Sequence, residues 1–328
     1  MQKYKMVNAL AWTGALVLTA LLVRNLPFAS ILASIVDLSI RQWLIWIIVN
    51  LLIIAVFVQR WSCLATGFDH DLGFVNLLLL RQAGQSSSFI TPGPQFGGEP
   101  LQVYLLWRRF LLSPASSILL VTADRFYELW INFAVLLLGV LFLLFSESAL
   151  LNLSSIAMIL SILVIALSLL IWILIKRSEK IEKLIDNFAA KWLQSARLSE
   201  MKVQWENFNS SLKILLENTY SLSLALGLSI AGWLLTFVEL YLVLGFFNIS
   251  LNLEDLIMLM VMMRLAFLLP LPGGFGTLEA AVFWSFNHLH LPLAGAAAML
   301  ALIRTRDILM VAAGLYCLRL LQTKTVTV

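Results

Sequence analysis

Neither SSSFITPGPQFGGE, at residues 86–99, nor LPLPGGFGTLE, at residues 269–279, can remain a regular helix, although each interrupts an apolar region. Prolines remove backbone donors, and glycines lower the cost of leaving helical geometry, so the backbone unwinds at both places. A five-residue set accompanies each break: Pro92, Gly93, Glu99, Arg125 and Glu128, then Pro272, Gly273, Glu279, Arg304 and Asp307. The offset is 180 residues for the first three pairs and 179 for the last two. The chain therefore reads as a duplication with one helix break and one set of embedded charges per half.

The surrounding composition belongs to a polytopic membrane protein. Of 328 residues, 61% are hydrophobic and 12% charged, against roughly 45–50% and 25% in soluble domains. Long apolar runs, read as uncharged, recur at 7–23, 43–58, 149–175 and 219–247, near or above the roughly 20 residues that cross a hydrocarbon core. Regions 72–109 and 253–291 are interrupted by Pro and Gly, while 114–145 carries Asp124, Arg125 and Glu128, and 292–321 carries Arg304, Arg306 and Asp307. Interrupted segments at corresponding places in two halves point to discontinuous helices around a binding site. The expected fold is all-α: a membrane bundle with two re-entrant broken-helix hairpins related as an inverted repeat. Residues 1–148 form the first half, with a hairpin near 72–112. Residues 149–328 form the second, with an amphipathic segment at 176–217 and a hairpin near 253–291.

Loop charges set the orientation, because cytoplasmic flanks are rich in Lys and Arg. Lys3 and Lys5 put the N-terminus inside, Arg60 marks the return of the second span, and a hairpin entering from the cytoplasm emerges at Arg108 and Arg109. The segment 176–213, with eight Lys and Arg, then lies inside, as does the tail with Lys324. Arg24 and Arg41 fall outside. Both termini are expected in the cytoplasm of a cell whose plasma membrane holds the chain. The apolar stripe of Ile181, Leu184, Ile185, Phe188 and Trp192, then Met201, Trp205, Phe208, Leu212 and Leu215, has helical spacing. It fits either an elbow between the halves or a lipid or partner sensor at the headgroup level.

Chemistry concentrates at the breaks. Each is followed by a helical run, 99–110 and 277–286, whose N-terminus favours anions, phosphate included. Gly98 and Gly274 bring backbone close to such a ligand. Glu99 and Glu279 fall in the first turn, where they either cap the half-helix or titrate protons and contact substrate. Arg125 with Glu128, and Arg304 with Asp307, stand three residues apart and can pair on one helix face. Embedded charges cost roughly 2.5–3.5 kcal/mol each and usually face a bundle interior or a wet path; the alternative is internal pairing without substrate contact. Arg81 and Arg264 precede the two breaks and can point into the same space. Arg125, Arg304, Gly98, Gly274, Arg81 and Arg264 are thus the expected substrate-binding set. Glu99, Glu279, Glu128 and Asp307 are the expected proton-titrating or charge-compensating set.

Other chemistry has little footing. The net charge of +4 sits on helix flanks, which fits anionic lipid rather than nucleic acid. Cys63 and Cys317 have neither metal-ligand nor disulfide spacing, His288 and His290 read as interfacial, and Trp43 and Trp172 as interface anchors. No phosphate loop, zinc helix motif or nucleophile elbow is present, so no cofactor, metal or catalytic residue is expected.

The strings GGEPLQVYLL at 97–106, DRFYE at 124–128 and PLPGGFGTLE at 270–279 resemble the transmembrane region of the lysylphosphatidylglycerol synthases, a flippase-like domain. The last string is the most specific, and the resemblance runs from about residue 6 to residue 321. It departs at Pro100 and at Gln102, where the family often carries a basic residue. The resemblance implies a helical membrane protein that moves lipids between leaflets. The soluble aminoacyl-transferase domain of bifunctional relatives is not expected, since seven residues follow Leu321. The leading expectation is a translocator of lipids with an anionic or phosphate-bearing headgroup. The alternatives are a membrane-embedded enzyme acting on a lipid-linked substrate, with Asp37, Asp69, His70 and Asp71 as its candidates, or a scaffold for a lipid-synthesising enzyme.

Overall fold

The computed structural model describes residues 36–67, 72–91, 97–145, 154–175, 199–269 and 271–323. The expected span at 7–23, the flanks Lys3, Lys5, Arg24 and Lys324, and residues 176–198 lie outside them. So do Pro92, Gly93, Pro270, Asp69, His70 and Asp71. The described residues form ten α-helices and no strand: α1 (Ile40–Thr66), α2 (Phe74–Ile90), α3 (Glu99–Arg109), α4 (Pro114–Leu144), α5 (Ser154–Ile175), α6 (Ser199–Glu217), α7 (Thr219–Phe246), α8 (Leu253–Phe267), α9 (Thr277–His288) and α10 (Leu293–Thr323). Three of them, α1, α4 and α7, are long and apolar enough to cross a membrane by length and composition.

The helix boundaries follow local chemistry. Ser39 accepts from the Gln42 amide while the Gln42 side chain accepts from the Ser39 amide, a reciprocal cap that starts α1. Ser113, Asn218 and Asn252 cap α4, α7 and α8 in the same side-chain-to-amide manner. At the second break Gly273 has φ 54°, a conformation that glycine adopts without penalty. A Cβ there would stand 2.6 Å from the Phe89 ring.

Helix order and length repeat along the chain. Helices α1, α2, α3 and α4 correspond to α7, α8, α9 and α10, whose first residues follow by 178 or 179 positions. Packing is reciprocal: α1 lies on α7, α2 on α10, and α8 on α4. A Cβ at Gly314 would collide with the Gln82 carbonyl and the Ser86 side chain, so the absence of a side chain there lets α10 approach α2.

Two buried clusters occupy opposite ends of the bundle. In one, Leu105 and Phe110 from the end of the first hairpin join Leu64 of α1 and Leu321 of α10. In the other, Phe286 from the end of the second hairpin joins Trp46 of α1 and Met299 of α10. Trp46 and Leu64 are about 27 Å apart along α1 at 1.5 Å per residue, so the hairpins dock at opposite ends of the same helix. Arg109 donates to the Gln322 carbonyl, which puts the ends of α3 and α10 on one face of the bundle. Helices α5 and α6 lie against α4, and the stripe residues Phe208, Leu212 and Leu215 of α6 pack into the first cluster.

Candidate functional site

The two half-helix starts use the same kinds of contact. In the first hairpin Glu99 accepts the Gly97 amide on Oε2 at 2.7 Å and pairs through Oε1 with Arg125 Nε at 2.6 Å. In the second, Glu279 accepts the Gly276 amide on Oε2 at 2.7 Å and takes Arg304 Nε on Oε1 at 2.7 Å. Each arginine then uses Nη1 for the carboxylate one turn on, Arg125 to Glu128 at 2.8 Å and Arg304 to Asp307 at 3.0 Å. Each glutamate thus divides its two oxygens between a glycine amide of the break and an arginine; for Glu279 that amide is the N-cap of α9, whereas for Glu99 it lies one residue before the N-cap of α3. Arg304 makes two further bonds, to the carbonyls of Gly273 and Gly274 at 2.9 and 3.2 Å, so it ties the unwound segment to α10.

The breaks meet across the molecule: Phe89, at the end of α2, lies edge-on to Phe275 of the second break at a centroid distance of 6.1 Å. Behind them is a cavity of about 390 Å³. Its described lining comes from α1, α2 and α4 of the first set and from their counterparts α7, α8 and α10 of the second. Five guanidiniums, Arg60, Arg81, Arg125, Arg264 and Arg306, share its wall with three carboxylates, Glu128, Glu239 and Asp307. Gln82, Gln85, Asn50 and Asn132 add neutral polar groups.

Of the residues expected to bind substrate, Arg81, Arg125 and Arg264 line this cavity; Arg304, Gly98 and Gly274 do not. The Gly98 amide donates to Ser88 Oγ at 2.9 Å, which closes the first hairpin. Of the expected charge-compensating residues, Glu128 and Asp307 line the cavity, while Glu99 and Glu279 stand behind Arg125 and Arg304.

Sequence reasoning missed part of the network. Arg60, read as a cytoplasmic flank, is fully buried and pairs with Asp124 at 2.6 Å. Asp124 also pairs with Arg81 at 3.0 Å. The span 219–247, read as uncharged, contains Glu239, which accepts both a 2.8 Å and a 2.9 Å bond from Arg306 and a 3.1 Å bond from Asn50. Arg60 and Glu239 are 179 residues apart, on corresponding helices, each paired with the last helix of its own half. A single charge inside an apolar span was the available signal for both.

Arg264 differs from the other four cavity arginines. Its guanidinium lies 4.4 Å over the Trp233 ring, and no carboxylate or hydrogen-bond acceptor pairs with it among the described residues. Trp, the best cation–π partner, is worth about 2 kcal/mol or more when desolvated. That offsets part of the roughly 2.5–3.5 kcal/mol cost of an embedded arginine and leaves the donors free. No group of three or more metal-ligating side chains occurs among the described residues.

Broken hairpins packed between long apolar helices around a charged cavity define a polytopic helical membrane protein with a polar internal chamber. The family model for the lysylphosphatidylglycerol synthase transmembrane region matches residues 8–314, and the chain belongs to that family. It is also similar to a UPF0104 membrane protein of Methanothermobacter thermautotrophicus, 26% identical over 250 residues, covering 73% of this chain and 74% of that one. No solved structure matches.

Proposed function

We propose that the chain is a lipid translocator in which a phosphate-bearing headgroup enters the cavity between the two halves and is held by Arg264, with Arg81 and Arg125 lining the same cavity. The observation that carries this reading is the Arg264 guanidinium, half-buried in a cavity wall with a ring to rest on and, among the described residues, no carboxylate to pair with. Such a cation keeps its donors for an anion that comes and goes. A cavity of about 390 Å³ is at the small end of ligand sites, which suits a headgroup whose tails remain in the bilayer.

The docking of the hairpins at opposite ends of α1 supports an inverted repeat, in which one half admits the headgroup from each leaflet. The Arg109–Gln322 contact supports placing Arg108, Arg109 and the end of α10 together on the cytoplasmic side of the plasma membrane. Glu128, Glu239 and Asp307 compensate the arginines when the cavity is empty. Arg304 and Glu279 serve the hairpin's shape rather than the headgroup. No catalytic step is assigned.

Headgroup transfer in proteoliposomes tests the reading. A hydrogen bond to a charged group contributes about 1.5–3 kcal/mol, so Arg264→Gln is expected to slow transfer about 10- to 100-fold, with Arg264→Lys recovering part. The same variant is expected to unfold no more easily than the wild type. Transfer at the wild-type rate in Arg264→Gln would end this assignment.

A further inference from the structure

A second depression lies on the outside of the bundle, between α3 and α4. It is an open groove of about 570 Å³, walled by Val103, Tyr104, Trp107 and Val121 and floored by Glu99 and Arg125. Tyr104 and Trp107 are 54% and 40% exposed, so the walls are apolar and face outward. Helix α3 has 11 residues, about 16 Å of length. It covers only part of a bilayer's height, and the groove opens where its N-terminal turn begins. One residue belongs to both places: Arg125 lines the groove and also the central cavity.

We propose that Arg125 is the partition between the central cavity and a hydrocarbon groove, and that a lipid straddles it with its headgroup inside and one acyl chain along α3 and α4. This rests on the reading of the cavity as a headgroup site. The occupant follows from continuity: an apolar trough that ends on a guanidinium, whose other side faces a chamber with further guanidiniums, fits a molecule with a hydrocarbon arm and an anionic end. Arg125 is held by Glu99 on the groove side at 2.6 Å and by Glu128 on the cavity side at 2.8 Å. A phosphate oxygen arriving from the groove can replace Glu99 as its partner while Glu128 stays in place, so the partition swings without leaving the guanidinium unpaired. The second half has no such hinge, because Arg304 is also bound to the Gly273 and Gly274 carbonyls.

The test uses the unmodified full chain in phosphatidylcholine vesicles that contain phosphatidylglycerol with a diazirine in mid-acyl chain, and maps the photoadducts by mass spectrometry. Adducts on Val103, Trp107 and Val121 are expected to saturate and to fall at least 5-fold with excess unlabelled phosphatidylglycerol. Adducts on the exposed α5 residues Ile159 and Ile162 are expected to decline only by dilution. Val103→Phe, which fills the groove, is expected to suppress the saturable adducts alone. Groove labelling that tracks the α5 labelling, or a groove with no adducts, would overturn the proposal. If phosphate-free diacylglycerol displaces the label as well as phosphatidylglycerol does, the groove stands as a hydrocarbon site and the phosphate reading of the cavity falls.

Discussion

Replacing Glu279 by Gln removes one charge while keeping an oxygen for the Gly276 amide, so the cap of α9 survives and the ion pair does not. The Glu279 side chain is 6% exposed and that of Arg304 14%. Removing one partner of a buried pair costs about 3–5 kcal/mol because the other charge is left uncompensated. Arg304 retains Asp307 at 3.0 Å and two carbonyls, so the lower end, about 3 kcal/mol, is expected. Glu99→Gln makes the same change where the side chain is 19% exposed, but Arg125 at 16% is hardly better hydrated than Arg304 at 14%, so a similar loss of about 3 kcal/mol is expected. Combining Glu279→Gln with Arg304→Gln leaves Asp307 to Arg306 at 3.7 Å and should recover part of the loss, a coupling of about 1–3 kcal/mol. Equilibrium unfolding in mixed micelles, followed by circular dichroism, measures the wild type, the single variants Glu279→Gln, Arg304→Gln and Glu99→Gln, and the double variant. Strict additivity in the Glu279→Gln/Arg304→Gln double variant would refute the view that the second pair is a structural clamp.

Asp124→Asn strands both Arg60 and Arg81 and is expected to cost at least about 3 kcal/mol in the same unfolding assay. Gly314→Leu forces α10 away from α2, and is expected to lower thermal stability sharply by fluorescence-detected size exclusion, with Gly314→Ala intermediate. Glu239→Gln leaves Arg306 with Asp307 alone, and is expected to slow headgroup transfer while costing less stability than Asp124→Asn. Cysteines at Phe89 and Phe275, in a chain whose Cys63 and Cys317 are replaced by Ala, are expected to be bridged by a short bifunctional thiosulfonate, since the rings touch; mass spectrometry of the digest reads the link.

Local features were legible in the sequence. The prolines and glycines at both breaks placed the half-helices at 99–110 and 277–286, and they run Glu99–Arg109 and Thr277–His288. The i,i+3 spacing announced Arg125–Glu128 and Arg304–Asp307. Matching offsets announced the repetition of helix order. Pairings between distant residues were not legible, because periodicity speaks only of one helix at a time. Arg60 with Asp124, and Glu239 with Arg306, are separated by 64 and 67 residues, so their meeting depends on how helices pack. Arg60 was mistaken for a flank because the rule for cationic loops treats any arginine near a span's end as outside the hydrocarbon, whereas α1 continues to Thr66. Arg304 was expected from its position to meet an anion; its bonds to the carbonyls of the second break had no signal in the spacing, because they depend on how the unwound backbone folds against α10.

The most direct measurement is an electron cryomicroscopy map of the chain in nanodiscs of its native lipids, at a resolution that shows headgroups. Phosphate-sized density is expected within hydrogen-bond reach of the Arg264 guanidinium, enclosed by helices of both halves. A well-ordered map with side chains visible and no such density in the chamber, or with Arg264 turned onto a carboxylate, would contradict it.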